Sequence, residues 1–133
     1  MSIEEKIIEK MEHGKIREYF LSCRDRVLIR EIDGRRVMTY FLWSSPIVNV
    51  VTGDKPFIEF SFCNWGSQTT RERIAHLLRH FNGCFVFQKN WKMYLSHNNK
   101  IYPIDTSMNY TIENGVITDR HGNILKEIEG FKY

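Results

Sequence analysis

No run in this sequence approaches the roughly 18 consecutive apolar residues that a membrane-spanning helix needs, so no span is expected. Cysteine is scarce too. Cys23, Cys63 and Cys84 are an odd number at wide spacing, unlike the dense, even set of a disulfide-stapled secreted scaffold. They read as reduced thiols in a cytosol, serving as small buried hydrophobes. The opening Met1-Ser-Ile-Glu-Glu-Lys6 is acidic and amphipathic, not the basic-then-apolar pattern of a leader.

The motifs of catalysis are missing as well. The sequence has no Walker-type loop, no G-x-G-x-x-G, no C-x-x-C and no G-x-S-x-G, so the usual phosphate, dinucleotide, redox and nucleophile-elbow chemistries have no anchor. Cys63-Asn-Trp-Gly-Ser67 imitates a nucleophile turn only superficially. Glu4 and Glu5 are adjacent in a helix cap, and adjacency in sequence does not make carboxylates converge. These absences point to a non-enzymatic protein without a small-molecule cofactor.

What is present is a good core supply. Hydrophobic residues are 42% and aromatic residues 14% of the 133 positions, which excludes intrinsic disorder and suits one domain over 1–133. Nineteen Lys and Arg against sixteen Asp and Glu give a formal charge of +3. That is mildly basic, short of the bias of a dedicated nucleic-acid binder.

The patterning predicts an α+β fold. Ser2-Ile-Glu-Glu5 fits a capping box, and Ile3, Ile7 and Met11, then Ile16, Tyr19, Phe20 and Cys23, recur at helical spacing on either side of Gly14. Helix is expected through most of residues 2–23. From Arg26 the period becomes two. Asp33-Gly34 is a type I′ hairpin signal that sets the faces: Val27, Ile29, Met38, Tyr40 and Leu42 toward the core, and Arg26, Leu28, Arg30, Ile32, Val37, Thr39, Phe41 and Trp43 on the other side. Strands at 47–51 and 57–63 extend this into an antiparallel meander. Thr69-Thr-Arg-Glu72 reads as a second capping box, opening a helix with an Ile74, Leu77, Leu78, Phe81 stripe that ends at Asn82-Gly83. Short C-terminal hairpins follow, turning at 97–100 and at Asn114-Gly115.

Two constellations carry binding chemistry. Arg26, Arg30 and Arg35 share a sheet face with Phe41 and Trp43, with Arg26 opposite Phe41 in the expected register. Arginine beside exposed rings suits a single-stranded nucleic acid, since charge tracks phosphates and rings stack bases. Arg73, His76, Arg79 and His80 form a cationic face on the second helix. His76 and His80 also have the i, i+4 spacing of two metal ligands, the basis for an alternative metal-dependent hydrolase. However, Leu77 stands where the metalloprotease pattern needs Glu, and Arg73 and Arg79 disfavour a cation, so a solvated helix face is preferred. Trp65, Trp91 and Tyr133 read first as core fillers, and otherwise as partner anchors.

Two segments resemble a family of small uncharacterised phage- and plasmid-encoded proteins: Asp33–Val48, with its Trp43-Ser-Ser-Pro-Ile47 stretch, and Asn64–Leu78, with the Thr69-Thr70 pair opening an Arg- and His-bearing helix. The resemblance implies a mobile element in a bacterial host cytoplasm. Small basic proteins there bind DNA or RNA, or obstruct host proteins such as defence nucleases. The expected role is therefore an accessory protein that binds a macromolecule, either a host protein or nucleic acid.

Overall fold

The computed structural model describes residues 1–132. It is α+β. Helix α1 (Ile3–His13) leads into β1 (Glu18–Phe20), β2 (Asp25–Ile32), β3 (Arg35–Leu42), β4 (Ser45–Thr52) and β5 (Phe57–Ser61). Helix α2 (Gln68–Asn82) then precedes β6 (Phe85–Lys89), β7 (Lys92–His97), β8 (Lys100–Ile104), β9 (Asn109–Glu113) and β10 (Val116–Asp119). The first five strands form a meander, and β9 docks beside β5 to give a seven-stranded sheet ordered β1-β2-β3-β4-β5-β9-β10. Strands β6-β7-β8 make a separate three-stranded sheet, and all neighbours in both sheets are antiparallel.

The Asp33-Gly34 turn, with φ of 53° and 76°, sets the expected register: Arg26 faces Phe41 and Glu31 faces Arg36. The predicted core face is the core face. Val27, Ile29, Met38, Tyr40 and Leu42 are buried in one core with Ile7 and Met11 of α1, which lies over β2 and β3, and with Ile74, Leu77 and Leu78 of α2, which lies over β4. Among the described residues, the opposite face of the large sheet carries no helix. Among the described residues no helix is long and apolar enough to cross a membrane.

Two expectations are corrected. The first helix ends at His13, and residues 18–20 are an edge strand. Gly14 is the cause: its N–H caps Lys10 O at 2.8 Å, and the chain leaves in an extended conformation while the Lys15 N–H donates to Tyr19 Oη at 2.7 Å. Ile16 and Phe20, which had completed the helical spacing, are exposed. A Cβ at Gly14 would lie 2.9 Å from the Tyr19 ring and closer still to the Lys10 carbonyl oxygen. Gly14→Ala is therefore expected to destabilise the fold by about 1–3 kcal/mol, read as a lowered melting temperature.

The second correction concerns the start of α2. Its cap is Ser67, whose Oγ accepts from the Thr70 N–H, two residues before the predicted box. Its end is as expected, with Gly83 in the left-handed region at φ 66°. The segment after β10 makes a bridge between Thr118 and Ile124, and the Leu125 N–H donates to Ile117 O at 2.9 Å. The tail then crosses the small sheet: the Ile128 N–H donates to Ile101 O at 2.7 Å, and Phe131 packs on Phe87 and Tyr94.

Candidate partner-binding surfaces

Arg26, Arg30 and Phe41 share the expected sheet face, while Trp43 lies beyond β3 in the following turn, and the face is of mixed charge. The Arg26 guanidinium lies 4.0 Å from the centre of the Phe41 ring, but it also pairs with Glu18 at 2.5 Å. Arg35 covers Phe57 and donates to Lys55 O at 2.7 Å, while Arg30 is exposed. Between them a polar ladder crosses three strands: Thr39 donates to Asn49 at 2.7 Å, and Asn49 donates to Glu59 at 3.1 Å. A shallow cavity of about 300 Å³ is lined here by Arg30, Thr39, Phe41, Asn49, Glu59 and Asn109, among others. Carboxylates thus alternate with the arginines, and a phosphate backbone would meet both signs.

The cationic face of α2 is not assembled as the sequence suggested, because Arg73 is only 3% exposed. It belongs to the buried stripe Thr70, Arg73, Ile74, Leu77, Leu78, which is itself at i, i+3, i+4, i+7, i+8. Its helical angle sets it with His76, Arg79 and His80 in the sequence reading, yet at the border of that face its side chain turns inward to a buried carboxylate. There Nε donates to Asp25 Oδ1 at 3.0 Å, and Nη1 reaches Glu4 at 3.3 Å. Asp25, itself buried, also accepts from Tyr40 Oη at 2.5 Å and from Ser22 Oγ at 2.7 Å. Burial opposes ionisation of Asp25, yet the hydrogen bonds from Arg73, Tyr40 and Ser22 outweigh it and hold the carboxyl below its ordinary value. Burial and the same carboxylate push the Tyr40 hydroxyl up. This network locks α1 and α2 to β2 and β3.

His76, Arg79 and His80 are exposed, and His80 is engaged by Glu12 of α1. No three His, Cys, Asp or Glu side chains are grouped as metal ligands among the described residues. Cys84 and His97 do meet, with Sγ 3.0 Å from Nδ1 and Asn82 Nδ2 donating to the sulfur at 3.2 Å. Cys84 is fully buried, and burial pushes its thiol up to about 11. At neutral pH it is a protonated donor, the opposite of an activated nucleophile.

The tryptophans are the larger surprise. Trp43, Trp65 and Trp91 are 65%, 63% and 92% exposed, so the core-filling reading of Trp65 and Trp91 is corrected; Tyr133 lies outside the described residues. The core is filled instead by aliphatics with Tyr40, Phe60 and Phe62. Trp43 occupies the tight β3–β4 turn at φ 58°, with its N–H held by Arg24 O at 2.6 Å. Trp91 occupies the β6–β7 turn at φ 66°, where a type I′ turn ordinarily has Gly. Trp65 follows Cys63 and Asn64, both at positive φ, in a loop pinned by the Asn64 N–H to Thr106 O at 2.9 Å.

Trp43 and Trp65 come together on one patch of the surface, the tryptophan end of the molecule. Both line a groove of about 440 Å³, together with Arg24, Leu42, Ser45, Ile47, Ser67, Thr69 and Thr70. Trp91 is reached through Thr106, which lies beside both Gly66 and the Trp91 hairpin. The two segments that carried the family resemblance, separated by residues 49–63 in the chain, thus both contribute to this groove. A large ring at positive φ is sterically costly and persists only where the surroundings enforce it. The sequence signal was available: Trp stands at a turn position, Trp43-Ser44, where turn chemistry favours Gly, Asn or Asp.

Comparison with the curated proteins and with the solved structures gives no match. The family model described as Kyanoviridae Gp96 protein matches residues 2–124, nearly the whole chain and well beyond the two resembling segments, and the chain belongs to that phage protein family.

Proposed function

We propose that this phage protein acts without catalysis, as an accessory factor that binds a host protein through its tryptophan end. The observation that carries this reading is the exposure of Trp43 and Trp65 on one groove, with Trp43 held at positive φ. Tryptophan is the residue most enriched in interface hot spots, and its burial between chains is the main return on leaving it in solvent. A host defence component is one such partner.

Charge favours protein over nucleic acid. The stripe that a nucleic acid would follow, Arg26, Arg30, Arg73 and Arg79, is interrupted where Glu18 pairs Arg26 and where Arg73 is buried. Phosphate binding gains from uncompensated cations, and here Arg26 and Arg73 are each paired with a carboxylate.

The test is affinity capture from nuclease-treated host lysate, run in parallel with wild-type protein and with Trp43→Ala/Trp65→Ala. Both substitutions are at exposed rings, so circular dichroism and melting should show a preserved fold. A host protein retained by the wild type and lost by the variant supports the reading. Equal retention by both proteins, or retention by neither, would remove the tryptophan end as the binding surface.

A further inference from the structure

We infer that the groove between Trp43 and Trp65 takes an extended acidic peptide segment, with an apolar side chain seated between the rings and a neighbouring carboxylate facing Arg24. The inference rests on the protein-binding reading above and adds the chemistry of what is bound.

The apolar part follows from the lining. Trp43, Trp65, Leu42 and Ile47 supply rings and aliphatic carbon, and the volume of about 440 Å³ suits one or two side chains rather than a folded domain. The polar part is all donors or neutral hydroxyls: Ser44, Ser45, Ser67, Thr69 and Thr70. No carboxylate lines the groove, and the first turn of α2, which contributes to it, carries no acidic residue.

The single charge in the lining is Arg24. Its nearest carboxylate, Asp25 at 3.7 Å, is 1% exposed and already paired with Arg73, Tyr40 and Ser22. Glu4, the other carboxylate of that network, is turned to Arg73. The negative charge that balances Arg24 is therefore inside the protein, while the Arg24 side chain is 45% exposed at the groove. A ligand carboxylate meets a cation with donors free to rearrange, and a charge-assisted pair of this kind is among the stronger contacts available at a surface. A basic peptide would instead meet Arg24 and the positive end of α2.

The experiment selects a surface-displayed random peptide library on the full-length protein, then measures enriched peptides by fluorescence anisotropy. Peptides enriched in Asp or Glu beside Leu, Ile or Phe are expected. Their binding should weaken about tenfold in Arg24→Gln and about thirtyfold or more in Trp43→Ala, with a salt dependence that flattens only in Arg24→Gln. Groove-dependent peptides that are neutral or basic would overturn the acidic inference and leave the protein-binding reading intact. Enriched peptides indifferent to both Trp43→Ala and Trp65→Ala would overturn the groove as a peptide site, and the lysate capture then decides separately whether the tryptophan end binds a folded partner.

Discussion

Asp25→Ala is expected to cost the fold about 3–5 kcal/mol, because it strands a buried guanidinium. Arg73 is 3% exposed, and its Nε has Asp25 as its partner at 3.0 Å. Glu4 offers only a contact at 3.3 Å to one terminal nitrogen. The Tyr40 hydroxyl, fully buried, loses its acceptor at the same time. Removing both charged partners leaves less uncompensated than removing one, so Asp25→Ala combined with Arg73→Met should cost clearly less than the sum of the two single changes. Urea denaturation of the four proteins closes this cycle, and strict additivity would mean the pair is not coupled.

The same carboxylate sets an acid limb. Its folded-state value lies below the ordinary 3.8, so its stabilisation is fully present above the unfolded value and is lost as pH falls through the folded one. Wild-type stability should therefore drop below about pH 4 more steeply than that of Asp25→Asn, whose neutral amide has no proton to take up.

Trp43→Gly is expected to do two opposite things. Stability should rise by about 1 kcal/mol, because Gly adopts positive φ without the clash that a Cβ brings. Partner capture should fall by about 2 kcal/mol or more, a loss of roughly thirtyfold or greater in affinity, as for removal of a central interface ring. A substitution that strengthens the fold and weakens binding marks a residue retained for contact rather than for structure. If Trp43→Gly melts lower than wild type, the ring is contributing to the fold after all, and its exposure of 65% has been misread as availability. Chemical denaturation and capture from lysate on the same preparation give both answers.

How much of this was legible beforehand depends on whether local rules governed the position. Strands β2 and β3 were readable face by face, because a two-residue Asp-Gly turn fixes register and register fixes sides. The end of α2 was readable for the same reason, since Gly83 has a single conformational job. Arg73 was not. Its neighbour Asp25 is 48 residues away, and nothing local announces that a charge will be neutralised inside. Residues 16–23 misled in the other direction. Their apolar spacing was helical, but Gly14 and the Tyr19 hydroxyl bond decide the path there, and an edge strand needs only β2 beside it. Trp43 was legible as an exposed ring, whereas Trp65 and Trp91 were visible as letters and hidden as exposed rings. Large rings usually go inside, and only the loop and turn conformations reveal that these two do not.

The return of β9 to the side of β5 has a consequence during synthesis. Ser61 and Asn109 are paired neighbours, yet α2 and the entire small sheet lie between them in the chain. While the ribosome makes that stretch, on the order of several seconds at bacterial rates, β5 waits as an open edge with Phe57, Ile58 and Phe60 along it. The meander is thus complete on one side long before the strand that seals the other side exists, and the nascent chain is most exposed to pairing with a stranger in that interval.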